Sequence, residues 1–210
     1  MRKIVVMVAC LLMVSSVALA SPLMDFSAGK GSVDLTMRNT ANSMFVLEFD
    51  NKYNFDGTVT LGLGNNWAVQ YRYFQPESAA TDFGAPLGMT LKMRTNEYNV
   101  LYKLDKNIAA FAGYVTAQET DGYPGLATYT SETRKLWQVG FAGSAAIGKK
   151  TTLWGTVGLG RDLTNCELGV GYAITPNLDI NVSYRSLNVN DLDGFEVKAK
   201  GLGFGVTLKF

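Results

Sequence analysis

Histidine is absent from all 210 residues. The chain therefore lacks the side chain best suited to proton transfer near neutral pH, and metal sites lose their commonest protein ligand. Cysteine is nearly absent too, with Cys10 and Cys166 alone, so no disulfide framework can staple the fold. After residue 20 no apolar run approaches the ~20 residues of a membrane-spanning helix. Lys and Arg number 19 against 18 Asp and Glu, which leaves no basic excess of the kind that marks a nucleic-acid partner.

What is present begins with MRKIVVMVACLLMVSSVALAS. Arg2 and Lys3 precede an apolar run from Ile4 to about Leu19, and Ala18 and Ala20 form an A-x-A pattern before Ser21. This is the anatomy of a cleaved secretory signal, with an uncleaved N-terminal anchor as the alternative. Residues 1–20 are expected to leave and 21–210 to form a single domain. The signal holds two of the 19 basic residues and no acidic one, so the remainder carries a net charge of −1. Cys166 stays behind as its single thiol.

Period-two alternation runs through that remainder, and helical spacing fits it less well. In WAVQYRYFQ, Trp67, Val69, Tyr71 and Tyr73 share one face. In EYNVLYKL the set is Tyr98, Val100, Tyr102 and Leu104; in CELGVGYAI it is Leu168, Val170, Tyr172 and Ile174. LDINVSYRS places Leu178, Ile180, Val182 and Tyr184 opposite Asp179, Asn181, Ser183 and Arg185. The final GLGFGVTLKF sets Gly201, Gly203, Gly205, Thr207 and Lys209 against Leu202, Phe204, Val206, Leu208 and Phe210. IAAFAGYVTA is ambiguous in phase.

Tight turns are expected at 64–66, 105–107, 148–150 and 175–177, where Gly, Asn, Asp, Pro and Lys cluster. Longer polar stretches at roughly 39–54, 76–91, 119–134, 161–165 and 188–197 read as loops. Four turns alternating with five loops require ten strands, with eight or twelve as alternatives. Both ends of the barrel domain then lie on the short-turn side. The first strand is ambiguous, because SMFVLEF (43–49) could replace it or extend it.

A soluble barrel hides its apolar face. Here the aromatic and large apolar face recurs opposite a face of small and polar residues, which suits a lipid-facing exterior around a narrow interior. Alternating segments of about 10 residues, short turns at one end and long loops at the other are the pattern of an outer-membrane barrel. In hydrocarbon every backbone polar group must pair internally, so such a sheet has to close. The expected fold is all-β, a closed antiparallel up-and-down transmembrane β-barrel.

The ending resembles the assembly signal of bacterial outer-membrane proteins: alternating large apolar residues closing on a C-terminal Phe. Residues 21–210 as a whole resemble the small outer-membrane barrels of the OmpA, OmpX and opacity-type class. The resemblance implies that Phe204, Leu208 and Phe210 are read by the barrel-assembly machinery. It also implies that the exported chain crosses the periplasm to the outer membrane and meets outer-membrane lipid. No family-specific functional motif accompanies it. Trp67, Tyr102 and Trp137 are candidates for interfacial aromatic girdles.

Several patterns carry no chemistry. The glycines of 61–64, 155–160 and 201–205 alternate within strands and open no helix, so they are not nucleotide-binding turns. Cys166 falls in phase with Leu168, and its expected role is inert packing. No catalytic residue, cofactor or metal site is expected. The inward phase collects five acids, Asp34, Asp56, Glu97, Glu167 and Asp179, and five bases, Arg38, Arg72, Lys103, Arg185 and Lys209. Buried charges are costly unless paired, whereas a selective channel favours one sign. The balance points to a salt-bridged filling in a non-catalytic barrel that serves envelope structure or an extracellular ligand through its loops. A narrow passive pore for small solutes is the alternative.

Overall fold

The computed structural model describes residues 25–84, 88–123, 125 and 127–210. The expected cleavage site at Ala18, Ala20 and Ser21 lies outside the described residues. Eleven strands follow one another: β1 (Gly31–Met44), β2 (Leu47–Gly64), β3 (Trp67–Phe74), β4 (Thr90–Asp105), β5 (Ile108–Tyr123), β6 (Ala127–Thr130), β7 (Arg134–Ala146), β8 (Thr151–Leu159), β9 (Leu163–Thr175), β10 (Leu178–Leu192) and β11 (Phe195–Lys209). Each long strand pairs antiparallel with its neighbour, β1 pairs with β11, and β4 pairs with β5. The result is a closed ten-strand barrel. The short β6 pairs only with β5 and forms a hairpin extension above the wall. None of the described residues forms a helix long and apolar enough to cross a membrane.

The four tight turns fall where Gly, Asn and Pro cluster. At the β2–β3 corner Asn65 and Asn66 both take positive φ (51° and 69°), the geometry a two-residue hairpin demands. The other end differs from the expected pattern of five loops. Residues 39–54 are mostly strand, joined at Phe45 and Val46, and 188–197 are strand around an Asp193-Gly194 turn. SMFVLEF therefore extends both β1 and β2 and replaces neither. The stretch at 161–165 shrinks to three residues between β8 and β9. Residues 76–84 run back along β4 and the residues just before it, through bridges at Glu77–Lys92 and Thr81–Met89.

The reason is a reversal of polarity along unbroken strands. On β10 the half-buried Leu178 and the exposed Ile180, Val182 and Tyr184 alternate with the buried Asp179, Asn181, Ser183 and Arg185. Past Arg185 the phase continues but the chemistry inverts: Ser186 and Asn188 face out, and Leu187 and Val189 are fully buried. On β11, Lys200 and Lys198 succeed Leu202 outside, while Ala199 and Val197 succeed Gly201 inside. One length of the barrel is apolar outside and polar inside. The length nearer the loops is built like a soluble barrel.

Candidate functional site in the barrel interior

Three layers fill the lumen. At the end that carries the chain termini, the segment before β1 folds in. Phe26 packs there with Ala68, Leu101 and Ala109, and Phe111 leans on them. Phe26 is anchored through its carbonyl, which accepts from the Gly64 N–H at 2.9 Å. At the loop end lies a second apolar layer whose largest fully buried members are Phe74, Leu91, Met93, Leu163, Leu187 and Leu192. Between them sits an ionic layer.

Six charged side chains from six strands make that layer: Arg38 (β1), Asp56 (β2), Arg72 (β3), Glu97 (β4), Glu167 (β9) and Arg185 (β10). Arg38 and Arg185 are fully buried, and the three carboxylates nearly so. Arg38 lies 3.2 Å from Asp56 and 2.7 Å from Glu167. Arg72 lies 3.4 Å from Asp56 and makes a short contact with Glu167. Arg185 lies 3.1 Å from Asp56 and makes a short contact with Glu97.

The pairing crosses the lumen. Arg72 stands directly opposite Glu97 on the neighbouring strand, and Arg185 directly opposite Glu167. Yet Arg72 pairs with Glu167 and Arg185 with Glu97, on far walls. Charges of this kind are tolerable in a dry interior only when paired and further hydrogen-bonded. Ser183 Oγ donates to Glu167 at 2.7 Å, Asn165 Nδ2 to Glu97 at 2.9 Å, and Arg72 Nε to Thr58 Oγ1 at 3.0 Å. The Arg185 guanidinium also lies 4.5 Å from the centre of the Phe74 ring, coupling the ionic layer to the apolar one above.

The other inward charges stay nearer the terminal end. Lys209 Nζ is 2.7 Å from Asp179, and Asp34 accepts from the Thr207 hydroxyl. Lys103 is half-buried and is not drawn into the central layer. Phe204, Leu208 and Phe210 are exposed on the outward face. Trp67 and Tyr102 meet with ring centroids 4.8 Å apart and planes tilted by 55° near the terminal end, and Trp137 is 78% exposed. Cys166 is half-buried and unbridged.

Alternation alone did not reveal two large inward side chains, Phe111 and Trp154. Trp154 is buried beside Gly169, where a Cβ would stand 2.5 Å from the indole ring. A glycine facing an aromatic across adjacent strands was the available signal. Among the described residues a cavity of about 40 Å³ lies between the ionic layer and Trp154, reached also by Thr36, Thr58 and Asn181. Among the described residues no three His, Cys, Asp or Glu side chains are grouped to hold a metal ion.

The same overall arrangement occurs in a solved structure, the outer membrane protease OmpT from Escherichia coli. It aligns over 93% of this chain and all of its own, with a TM-score of 0.65 at 12% identity. The fold is that of an outer-membrane β-barrel. At this identity the likeness concerns the fold alone. Two smaller outer-membrane barrels align over less of this chain. Neisserial surface protein A (NspA) does so at 16% identity over 87% of this chain and 99% of its own, TM-score 0.46. Ail, the attachment invasion locus protein of Yersinia pestis, does so at 14% over 87% and 99%, TM-score 0.47. The sequence matches no protein-family model and no curated protein.

Proposed function

We propose that this chain is a non-catalytic barrel of the bacterial outer membrane, with its tight turns toward the periplasm and its longer hairpins outside. Its apolar band meets outer-membrane lipid. Its role is to stabilise the envelope or to present the hairpin tips to an extracellular ligand. The observation that carries this reading is the ionic layer closed by apolar side chains at both ends. A pore needs a continuous wet path lined by groups that bind and release its solute, and a 40 Å³ cavity among paired charges offers none.

Two further features support it. Without histidine, proton transfer would fall to carboxylates, and the central ones are held by arginines. At the loop end, Phe45, Val46 and Phe195 stand exposed on adjacent hairpin tips, where the Phe45 N–H donates to the Glu196 carbonyl at 3.0 Å. Large apolar residues displayed beyond a membrane suit contact with another surface.

Conductance of the purified barrel in a planar lipid bilayer tests the reading. A quiet membrane is expected, and stable, reproducible unitary openings would establish the narrow pore instead.

A further inference from the structure

The outward face of the wall is not uniform around the barrel. Across β3, β4, β5 and β7 the register aligns Tyr71, Tyr98, Tyr114 and Trp137 in one row. Their rings touch in sequence, with centroids 5.2, 5.4 and 6.0 Å apart. Below this row, toward the termini, lies an outward groove of about 330 Å³ walled by Val59, Leu61, Val69 and Val100 together with Tyr71 and Tyr98. Above it the surface turns polar. Tyr71 Oη donates to Asn96 Oδ1 at 2.8 Å, and Asn96 Nδ2 donates to Thr116 Oγ1 at 3.1 Å.

Three cations crown that polar row. Lys135 is paired in register with Thr116, while Arg94 and Lys92 continue the outward face of β4 opposite Gln118 and Thr120. Arg94 and Lys135 are exposed and Lys92 is half-buried. Among the described residues none of the three is in an ion pair, and Arg94 Nε donates to the neutral Gln75 amide oxygen at 3.3 Å. The outward positions of β4, β5 and β7 bear no Asp or Glu. The nearest acid on the covering segment, Glu77, is held by Lys52 at 2.7 Å. On the opposite wall the comparable Lys198 is neutralised by Glu196 at 2.6 Å.

We propose that this wall holds a phosphate-bearing lipid of net negative charge, its headgroup between Arg94 and Lys135 and its acyl chain along the groove beneath Tyr71 and Tyr98. An aromatic row marks the depth at which hydrocarbon gives way to headgroups. Cations just above that depth meet phosphate, which a planar guanidinium engages through two parallel hydrogen bonds. A soluble anion would satisfy the cations but would leave the groove without a matching apolar part. The inference rests on the barrel standing in a bilayer with its apolar band in hydrocarbon.

Quenching of Trp137 by brominated lipid tests it. The Trp67→Phe protein, refolded into phosphatidylcholine vesicles, keeps Trp137 on this wall and Trp154 buried in the lumen. Brominated phosphatidylcholine should quench Trp137. No quenching by either lipid would overturn the bilayer placement itself. Brominated phosphatidylglycerol at the same low fraction should quench more, with a relative association constant above about threefold at low salt. Adding Lys92→Gln, Arg94→Gln and Lys135→Gln should bring that ratio to about one, whereas Arg94→Lys with Lys135→Arg should retain it. Equal quenching by the two lipids before substitution, or an excess that survives the triple change, overturns the site and leaves the bilayer placement standing.

Discussion

Arg38 of β1 and Glu167 of β9 meet at 2.7 Å although β11 and β10 separate their strands in the wall. The same guanidinium donates to the carbonyls of Gly201 on β11 (3.0 Å) and Ser183 on β10 (3.3 Å), and reaches Asp56 on β2. One side chain therefore ties five strands across a closed sheet.

Breaking this network should cost far more than breaking a surface pair. Glu167→Gln leaves Arg38 and Arg72 facing a neutral amide in a dry interior. The expected loss is about 3–5 kcal/mol. Glu77→Gln, which unpairs the half-exposed Lys52, should cost about 0–1 kcal/mol. Reversible denaturant unfolding in lipid vesicles compares the two.

The seam that closes the barrel runs through Gly31 and Phe210, which exchange backbone hydrogen bonds of 2.8 and 3.0 Å. A Cβ on Gly31 would stand 2.5 Å from the Phe210 ring, so Gly31→Ala should displace that ring and loosen the seam. Deleting Phe210 should lower the amount reaching the outer membrane more than it alters the barrel refolded in vitro. Immunoblots of membrane fractions set beside circular dichroism of refolded protein read both effects. Normal membrane levels of the truncated chain would count against the assembly role.

Neighbouring residues on β10 test the two faces. Val182 is exposed within the apolar band, and Arg in its place should cost about 2–4 kcal/mol in lipid. Ser183 is buried with its hydroxyl on Glu167, so Ser183→Ala should cost about 1–3 kcal/mol through the lost partner. Vesicle unfolding should find both destabilised. A neutral Val182→Arg would contradict the lipid-facing band.

At the loop end, beyond the apolar band, Glu119 is 5% exposed and its Oε2 has no hydrogen-bond partner among the described residues. Burial, with Asp121 and Asp193 nearby, pushes its carboxyl up to about 7. A carboxyl raised on folding contributes most when protonated. That stability is present at pH 4 and is lost as pH rises through about 7. The Glu119 and Ser131 amides, which bond to each other's residue, should therefore exchange hydrogen with less protection at pH 8 than at pH 5, after correction for intrinsic rates. Glu119→Gln should flatten that dependence.

Strand alternation was plain in segments such as 178–185, because side chains there obey one rule: apolar outside, polar inside. Residues 186–189 keep the phase but reverse the rule, so reading by apolar face ends the strand too early. The Phe45–Val46 corner hides for another reason. It carries none of the usual turn residues, and Phe45 takes a φ of 53°. Asp193-Gly194, by contrast, is a strong hairpin signal inside a stretch that otherwise reads as polar loop. In the interior, phase identifies which charges point inward, but it does not predict that Arg72 bypasses Glu97 for Glu167. That choice depends on side-chain length against lumen width, which only the closed barrel defines.

A lumen sealed at both ends is tested most directly by thiol accessibility at Thr36, which lines the central cavity and is 8% exposed. In a Cys166→Ser background, Thr36→Cys should resist a charged, membrane-impermeant thiol reagent added to either side of the refolded barrel in vesicles. Val46→Cys, at a hairpin tip 75% exposed, should react at once. Labelling of Thr36→Cys as fast as Val46→Cys in the folded barrel would contradict a filled interior and show a water path through it.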